Sequence, residues 1–167
     1  IPLLLDMCES PLAGVRAQAA TSLGMLSDLV EGEQRRQALV KLQRMLKDKD
    51  REVVLSSLRA LGELKALEAS AQLSEFAAHQ EREPAQAALR ALGKIGEPDN
   101  FPAIRARLND EDGYVAVTAI EATGMLGEAA FGRHLVPKLN VESPTQRVAA
   151  IRALAELGAR DCEPDIE

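Results

Sequence analysis

The sequence predicts an all-α protein, a superhelical solenoid of about five stacked helix–turn–helix repeats. Three observations carry that expectation. Glycines recur at Gly24, Gly62, Gly93 and Gly124, with Ala155 in the next place, at spacings of 38, 31, 31 and 31 residues. The residues around them keep one character from copy to copy. The apolar stock, 46% of the chain, is mainly Ala, Leu, Val and Ile with only 2% aromatic, and small side chains let helix axes approach closely.

Each recurrent segment reads as a helix. Five residues before the glycine stand Ala19, Ser57, Ala88, Ala119 and Ala150; four before it, Ala20, Leu58, Leu89, Ile120 and Ile151. One before it stand Leu23, Leu61, Leu92, Thr123 and Leu154; two after it, Leu26, Leu64, Ile95, Leu126 and Leu157. These offsets fall on one face of a 3.6-residue helix, not on a strand alternation. Glycine inside a helix costs about 1 kcal/mol relative to Ala, so four copies at one position imply a shared cause. Close approach by another helix supplies it. Gly96, Gly127 and Gly158, three residues further on, suit left-handed helix caps.

Second helices lie between. Residues 33–47 put Leu39, Leu42, Met45 and Leu46 on one face; a 31-residue shift gives Ser70, Leu73, Phe76 and Ala77, and another gives Phe101, Ile104, Arg107 and Leu108. Acidic turns follow, with Asp48, Asp50, Asp110 and Asp112 placed to cap the next helix and complement its dipole.

A pattern running V-R-x-x-A-A-x-x-L-G-x-L, then a Leu-rich helix and an acidic turn, resembles the HEAT-like repeat, in particular the type of about 31 residues found in phycobilisome lyases. The resemblance covers nearly the whole chain. It implies an armadillo-type superhelix and leaves function open, since such repeats occur in scaffolds, enzyme subunits and adaptor domains.

The repeats divide the chain as a partial repeat at 1–10, repeats at about 11–48, 49–80, 81–111 and 112–142, and a partial repeat at 143–167. Neither end carries a clear polar capping face, so the chain is expected to be a fragment of a longer array, with Asp161 to Glu167 beginning a further helix. Two irregularities stand out. The first repeat is seven residues longer, and Leu29-Val30-Glu31-Gly32 suggests that its first helix gains about two turns. The fourth repeat carries Gly132 and Pro137 where its second helix belongs, so that helix is expected to be short or kinked.

No chemistry-bearing motif emerges. There is no phosphate-binding glycine loop, no His-Glu-x-x-His and no paired-cysteine site, so no catalytic, cofactor or metal residue is assigned and the chain is read as a non-enzyme. His79 precedes Gln80 and His134 precedes Leu135, unlike the His-Glu pairs of iron-binding HEAT-like hydroxylases; both read as surface histidines. Phe76, Phe101 and Phe131 read as core. Cys8 takes a buried leucine position; it and Cys162 read as free thiols of a reducing, cytoplasmic setting. No apolar run is long enough to span a membrane.

Charge is unevenly distributed. The chain carries −6, yet residues 33–47, 66–80, 100–109 and 131–140 carry +4, −2, +2 and +2. In HEAT-like solenoids the second helices line the concave surface, which implies a basic groove on an acidic body. Its candidate lining is Arg36, Lys41, Arg44, Gln72, Glu75, Arg105 and Arg133. The expected function is a protein-interaction scaffold or adaptor holding a protein or peptide, an acidic segment in particular, in that groove. An accessory module of a larger enzyme, such as a bilin-lyase-like subunit, is the alternative. Net acidity and the absence of Trp argue against nucleic acid.

Overall fold

The computed structural model describes residues 1–158, which form helices joined by turns and short 3₁₀ segments, with no strand among the described residues. The order is α1 (Pro2–Met7), α2 (Ala13–Met25), α3 (Gly32–Met45), α4 (Arg51–Glu63), α5 (Ser70–Ala77), α6 (Arg82–Ile95), α7 (Phe101–Arg105), α8 (Gly113–Met125) and α9 (Pro144–Glu156). Between α8 and α9 run two 3₁₀ stretches, Ala129–His134 and Val136–Asn140.

These elements make two layers. In the first, α2, α4, α6, α8 and α9 pack in sequence, each on the next. In the second, α1, α3, α5, α7 and Val136–Asn140 each pack on the first-layer helix that follows them. The core lies between the layers. Leu23, Leu58, Leu61, Leu89, Leu92 and Ile120 fill it from one side, and Leu42, Leu73, Ile104 and Leu135 from the other, all without solvent exposure. Ile151 departs from its column: it is 58% exposed because no first-layer helix follows α9 among the described residues. The buried hydroxyls of Ser57 and Thr123 donate to the carbonyls of Val53 (2.7 Å) and Ala119 (2.9 Å) one turn back, so their burial leaves no unpaired donor.

The recurrent glycines sit where first-layer helices touch. A Cβ built on Gly24, Gly62, Gly93 or Gly124 would lie 3.0, 2.7, 3.0 or 2.8 Å from the Cα of Ala60, Ala91, Ala122 or Ala153. Each of those alanines stands two residues before the next repeat's glycine position. The helix pressing on each glycine is thus the equivalent helix of the following repeat. Gly96, Gly127 and Gly158 adopt φ of +73°, +73° and +64°, as left-handed caps. The second repeat has Lys65 in that place, at φ +47°. A side chain there costs about 1–2 kcal/mol. Lys65→Gly is therefore expected to stabilise the fold by about 1 kcal/mol, read as a higher urea midpoint with an unchanged slope.

The acidic turns cap helices and also tie repeats together. Asp50 accepts from the backbone N–H groups of Glu52 (3.0 Å) and Val53 (3.3 Å), and Asp112 from that of Tyr114 (2.9 Å). Asp48 and Asp110 turn inward instead and accept from the N–H of Asp50 and of Asp112, both at 2.9 Å. Asp48 also takes two hydrogen bonds at 2.8 Å from Arg16 near the start of α2, which hold its carboxyl below the usual aspartate range. Arg16 donates further to the carbonyls of Ser10 and Pro11. Arg147, in the same place on α9, repeats this at Val141 and Glu142.

The extra residues of the first repeat lie elsewhere than the sequence suggested. Helix α2 ends at Met25, Val30 is buried in an extended backbone, and Gly32 takes φ +54° at the entry to α3. The added length therefore extends the second helix: α3 has 14 residues against 8 in α5. Gly132 and Pro137 act as expected, and the fourth repeat's second helix is replaced by the two 3₁₀ stretches. Asp161 to Glu167 and Cys162 fall outside the described residues.

Candidate functional site

The seven candidate groove residues fall into three groups on the second layer. Arg36, Lys41 and Arg44 share the exposed face of α3, where with Glu9, Glu33, Gln37 and Val40 they bound a shallow depression. Arg36 donates to Glu33 at 2.9 Å, and Lys41 donates to Glu9 of the preceding turn. That bond, then the Lys41 charge, and more weakly Arg44, keep the Glu9 carboxyl below its ordinary range. Gln72, half-buried, and Glu75, exposed, are what α5 contributes. Arg105 ends α7 and Arg133 lies in the following 3₁₀ stretch; both are exposed beside His134. Burial, then Arg105 and Arg133, lower the pKa of that imidazole. His134 is half-buried at the surface, with its ring 5.1 Å from Phe101, which itself stacks on Phe131 at 3.9 Å. Phe101 is core, as read from the sequence, and the half-buried Phe76 and Phe131 pack against that core.

The positive charge of the second layer is smaller at the surface than in the sequence. Lys138 is buried; its Nζ donates to Asn109 Oδ1 at 2.8 Å, and burial lowers its pKa. Arg107 turns inward, donating to the carbonyls of Ala77 (2.8 Å) and His79 (3.1 Å) beside Asp110 at 2.7 Å. With Arg36 and Lys41 each held by a glutamate, the layer's open cations are fewer than its formal charge suggests. Cys8 is buried as expected, and desolvation pushes its thiol up to about 11 despite the nearby Lys41. Such a thiol is a poor nucleophile at neutral pH.

The first layer offers a more regular surface. Its helices are 13 or 14 residues long, and the same two columns face outward on each. Three residues before the glycine position stand Thr21, Arg59, Arg90, Glu121 and Arg152; one after it stand Met25, Glu63, Lys94, Met125 and Glu156. Between α4 and α6 these columns border a cleft lined by Arg59, Glu63, Gln86, Ala87, Arg90 and Lys94. Lys94 is paired with Glu63, and Arg59 lies 3.7 Å from Glu52. Nearer the helix starts, Arg51 holds Glu81 and Glu83, while Arg82 holds Asp112 and lies 4.5 Å over the Tyr114 ring. These outward columns change character from copy to copy, which marks them as solvent-facing, but the sequence reading used only the constant columns.

Among the described residues no three His, Cys, Asp or Glu side chains are placed to hold a metal ion. No helix among them is long and apolar enough to cross a membrane.

A family model described as HEAT repeats matches residues 1–85 and 70–137. No curated protein matches the chain. Among solved structures the chain is similar, with a TM-score of 0.78 and 21% identity, to a chain of the complex of CpcE and CpcF of phycocyanin lyase from Nostoc sp. PCC7120. That match covers 93% of this chain but 64% of the other, so this chain spans less than two thirds of it. A designed armadillo repeat protein matches with a TM-score of 0.64 and 20% identity, over 95% of this chain and 82% of that one. Another, solved in complex with the peptide (KR)4, matches at 0.63 and 18%, over 92% and 80%. At these identities the likeness is one of fold.

Proposed function

This chain belongs to the HEAT-repeat family, and we propose that it serves as a non-catalytic scaffold, holding a segment of another protein along one long face of its stack. The observation that carries the reading is the ladder of outward columns on α2, α4, α6, α8 and α9, which presents a side chain at the same two positions in every repeat. An extended partner can engage such a ladder one repeat at a time, and extended surfaces of this kind are what one-dimensional stacks provide. The peptide-bound armadillo structure is compatible with that use of a similar fold.

A photo-crosslinking side chain placed at Gln86 on the first layer, and separately at Gln37 on the second, tests the proposal in the cells that make the protein. A discrete protein adduct at one of the two positions supports it. Absence of any protein adduct at both positions overturns it.

The likeness to a phycocyanin lyase chain favours one other reading, an accessory lyase module that handles a bilin. Its test is absorbance: a shifted bilin band on adding the purified chain supports it, and an unchanged band removes it.

A further inference from the structure

Resting on the scaffold reading, we propose that the partner docks on the outward face of α4, α6 and their first-layer neighbours, and that it presents acidic side chains to Arg59, Arg90 and Arg152. Three independent features of the stack lead there.

The first is curvature. The distance between packed helices is set by the side chains between them, about 8 Å for the smallest and about 10 Å for larger ones. First-layer helices meet through Gly24 on Ala60, Gly62 on Ala91, Gly93 on Ala122 and Gly124 on Ala153. Second-layer neighbours approach far less: α1 with α3 and α5 with α7 touch at only a few residues, and α3 with α5 at fewer still. Two layers with unequal spacing bend the stack toward the closer-spaced one. The first layer is therefore on the inside of the curve, where side chains from successive repeats converge on a ligand. Arg36, Lys41, Arg44, Gln72, Glu75, Arg105 and Arg133 then lie on the outside, where they splay apart.

The second is charge. On the inner face Lys94 is satisfied by Glu63, and Glu83 is held by Arg51. Arg90 and Arg152 have no ion-pair partner within 4.0 Å among the described residues, and the Arg59–Glu52 contact at 3.7 Å is long and exposed, which makes it easy to exchange. The three guanidiniums stand in one column, at equivalent points of three helices. Each can take a carboxylate with two parallel hydrogen bonds. Glu121 and Glu156 share the face with no ion-pair partner within 4.0 Å among the described residues, so a continuous phosphate backbone would meet repulsion at α8 and α9. Carboxylates spaced by neutral residues avoid those positions.

The third is shape. Ala87 lines the floor of the cleft between Arg59 and Arg90, and Ala91 lies beside it, so a backbone can approach closely. Met25, 78% exposed, and Met125, 42% exposed, occupy the next column at two of its repeats. Flexible thioethers there suit apolar side chains between the acidic ones.

The test uses the full chain and a fluorescein-labelled peptide of alternating Glu and Ala, with the basic peptide (KR)4 and a single-stranded DNA oligonucleotide as competitors, followed by anisotropy at low and physiological salt. The acidic peptide is expected to bind, with affinity falling as salt rises. Arg59→Glu combined with Arg90→Glu is expected to weaken it at least tenfold, and the milder pair Arg59→Ala with Arg90→Ala several-fold, with circular dichroism unchanged because both side chains are exposed. Lys41→Glu with Arg44→Glu is expected to stay within twofold. Three results would overturn the proposal: no binding of the acidic peptide, tighter binding of the DNA, or loss through Lys41 and Arg44 instead. Protein adducts at Gln37 alone would likewise sink this inference while leaving the scaffold reading intact.

Discussion

Gly62→Ala is expected to lower the stability of the fold by about 2 kcal/mol, although the same exchange in an exposed helix raises it by about 1 kcal/mol. The sign reverses because of what the new methyl group would meet. It would stand 2.7 Å from the Cα and 2.9 Å from the Cβ of Ala91. The nearest atom is backbone, which cannot swing aside as the tip of a long side chain can. Helices α4 and α6 must separate or slide, and each is held by a further neighbour in the same layer. Gly14→Ala is the internal control: Gly14 lies in the first turn of α2 with nothing within 4 Å of its built Cβ. There only the backbone entropy gain operates, and stability is expected to rise or stay level. Urea unfolding followed by circular dichroism reads both variants, and a loss at Gly62 no larger than at Gly14 would mean that the helices are not pressed together.

Leu92→Ala is expected to cost about 3 kcal/mol, within the range of about 2–5 kcal/mol for emptying a fully buried leucine site. Leu92 has no exposure and belongs to a central helix with first-layer neighbours on both sides. Leu154, in the same column on α9, is only partly buried. Its replacement by Ala is expected to cost less than half as much. The contrast is a property of stacks, in which stability sums repeat terms and nearest-neighbour interfaces. Amide hydrogen exchange adds a spatial check. Leu154→Ala should speed exchange mainly in α9, whereas Leu92→Ala should speed it in α4, α6 and α8 together. Equal losses at the two sites, or exchange that rises evenly along the chain, would describe an ordinary globular core.

The glycine column was legible in the sequence because one physical constraint is imposed four times, and repetition separates it from chance. The left-handed caps were legible for the same reason, and Lys65 shows the constraint surviving where the glycine does not. The added turns of the first repeat were misplaced because Leu29 and Val30 continue an apolar pattern; the chain instead buries Val30 in an extended stretch and restarts at Gly32. Charge was the hardest quantity to read. A sum over second helices counts residues and not directions, so Lys138 and Arg107 were included although both point inward. Lys41 and Glu9 are 32 residues apart and meet only because two repeats are stacked. Which layer faces inward depends on comparing two sets of interhelical contacts, and neither is visible in one repeat.

Spin-label distances measure that comparison most directly. One pair of labels goes on the first layer, at Thr21 and Arg152; the other goes on the second, at Leu3 and Arg133. Both pairs span four repeat steps, and Cys8 stays unlabelled because it is buried, with Cys162 replaced by Ser. The expected result is a shorter distance for Thr21 to Arg152 than for Leu3 to Arg133, as a stack bent toward its glycine–alanine contacts requires. Equal distances, or a shorter one between Leu3 and Arg133, would contradict it and return the inner surface to α3, α5 and α7.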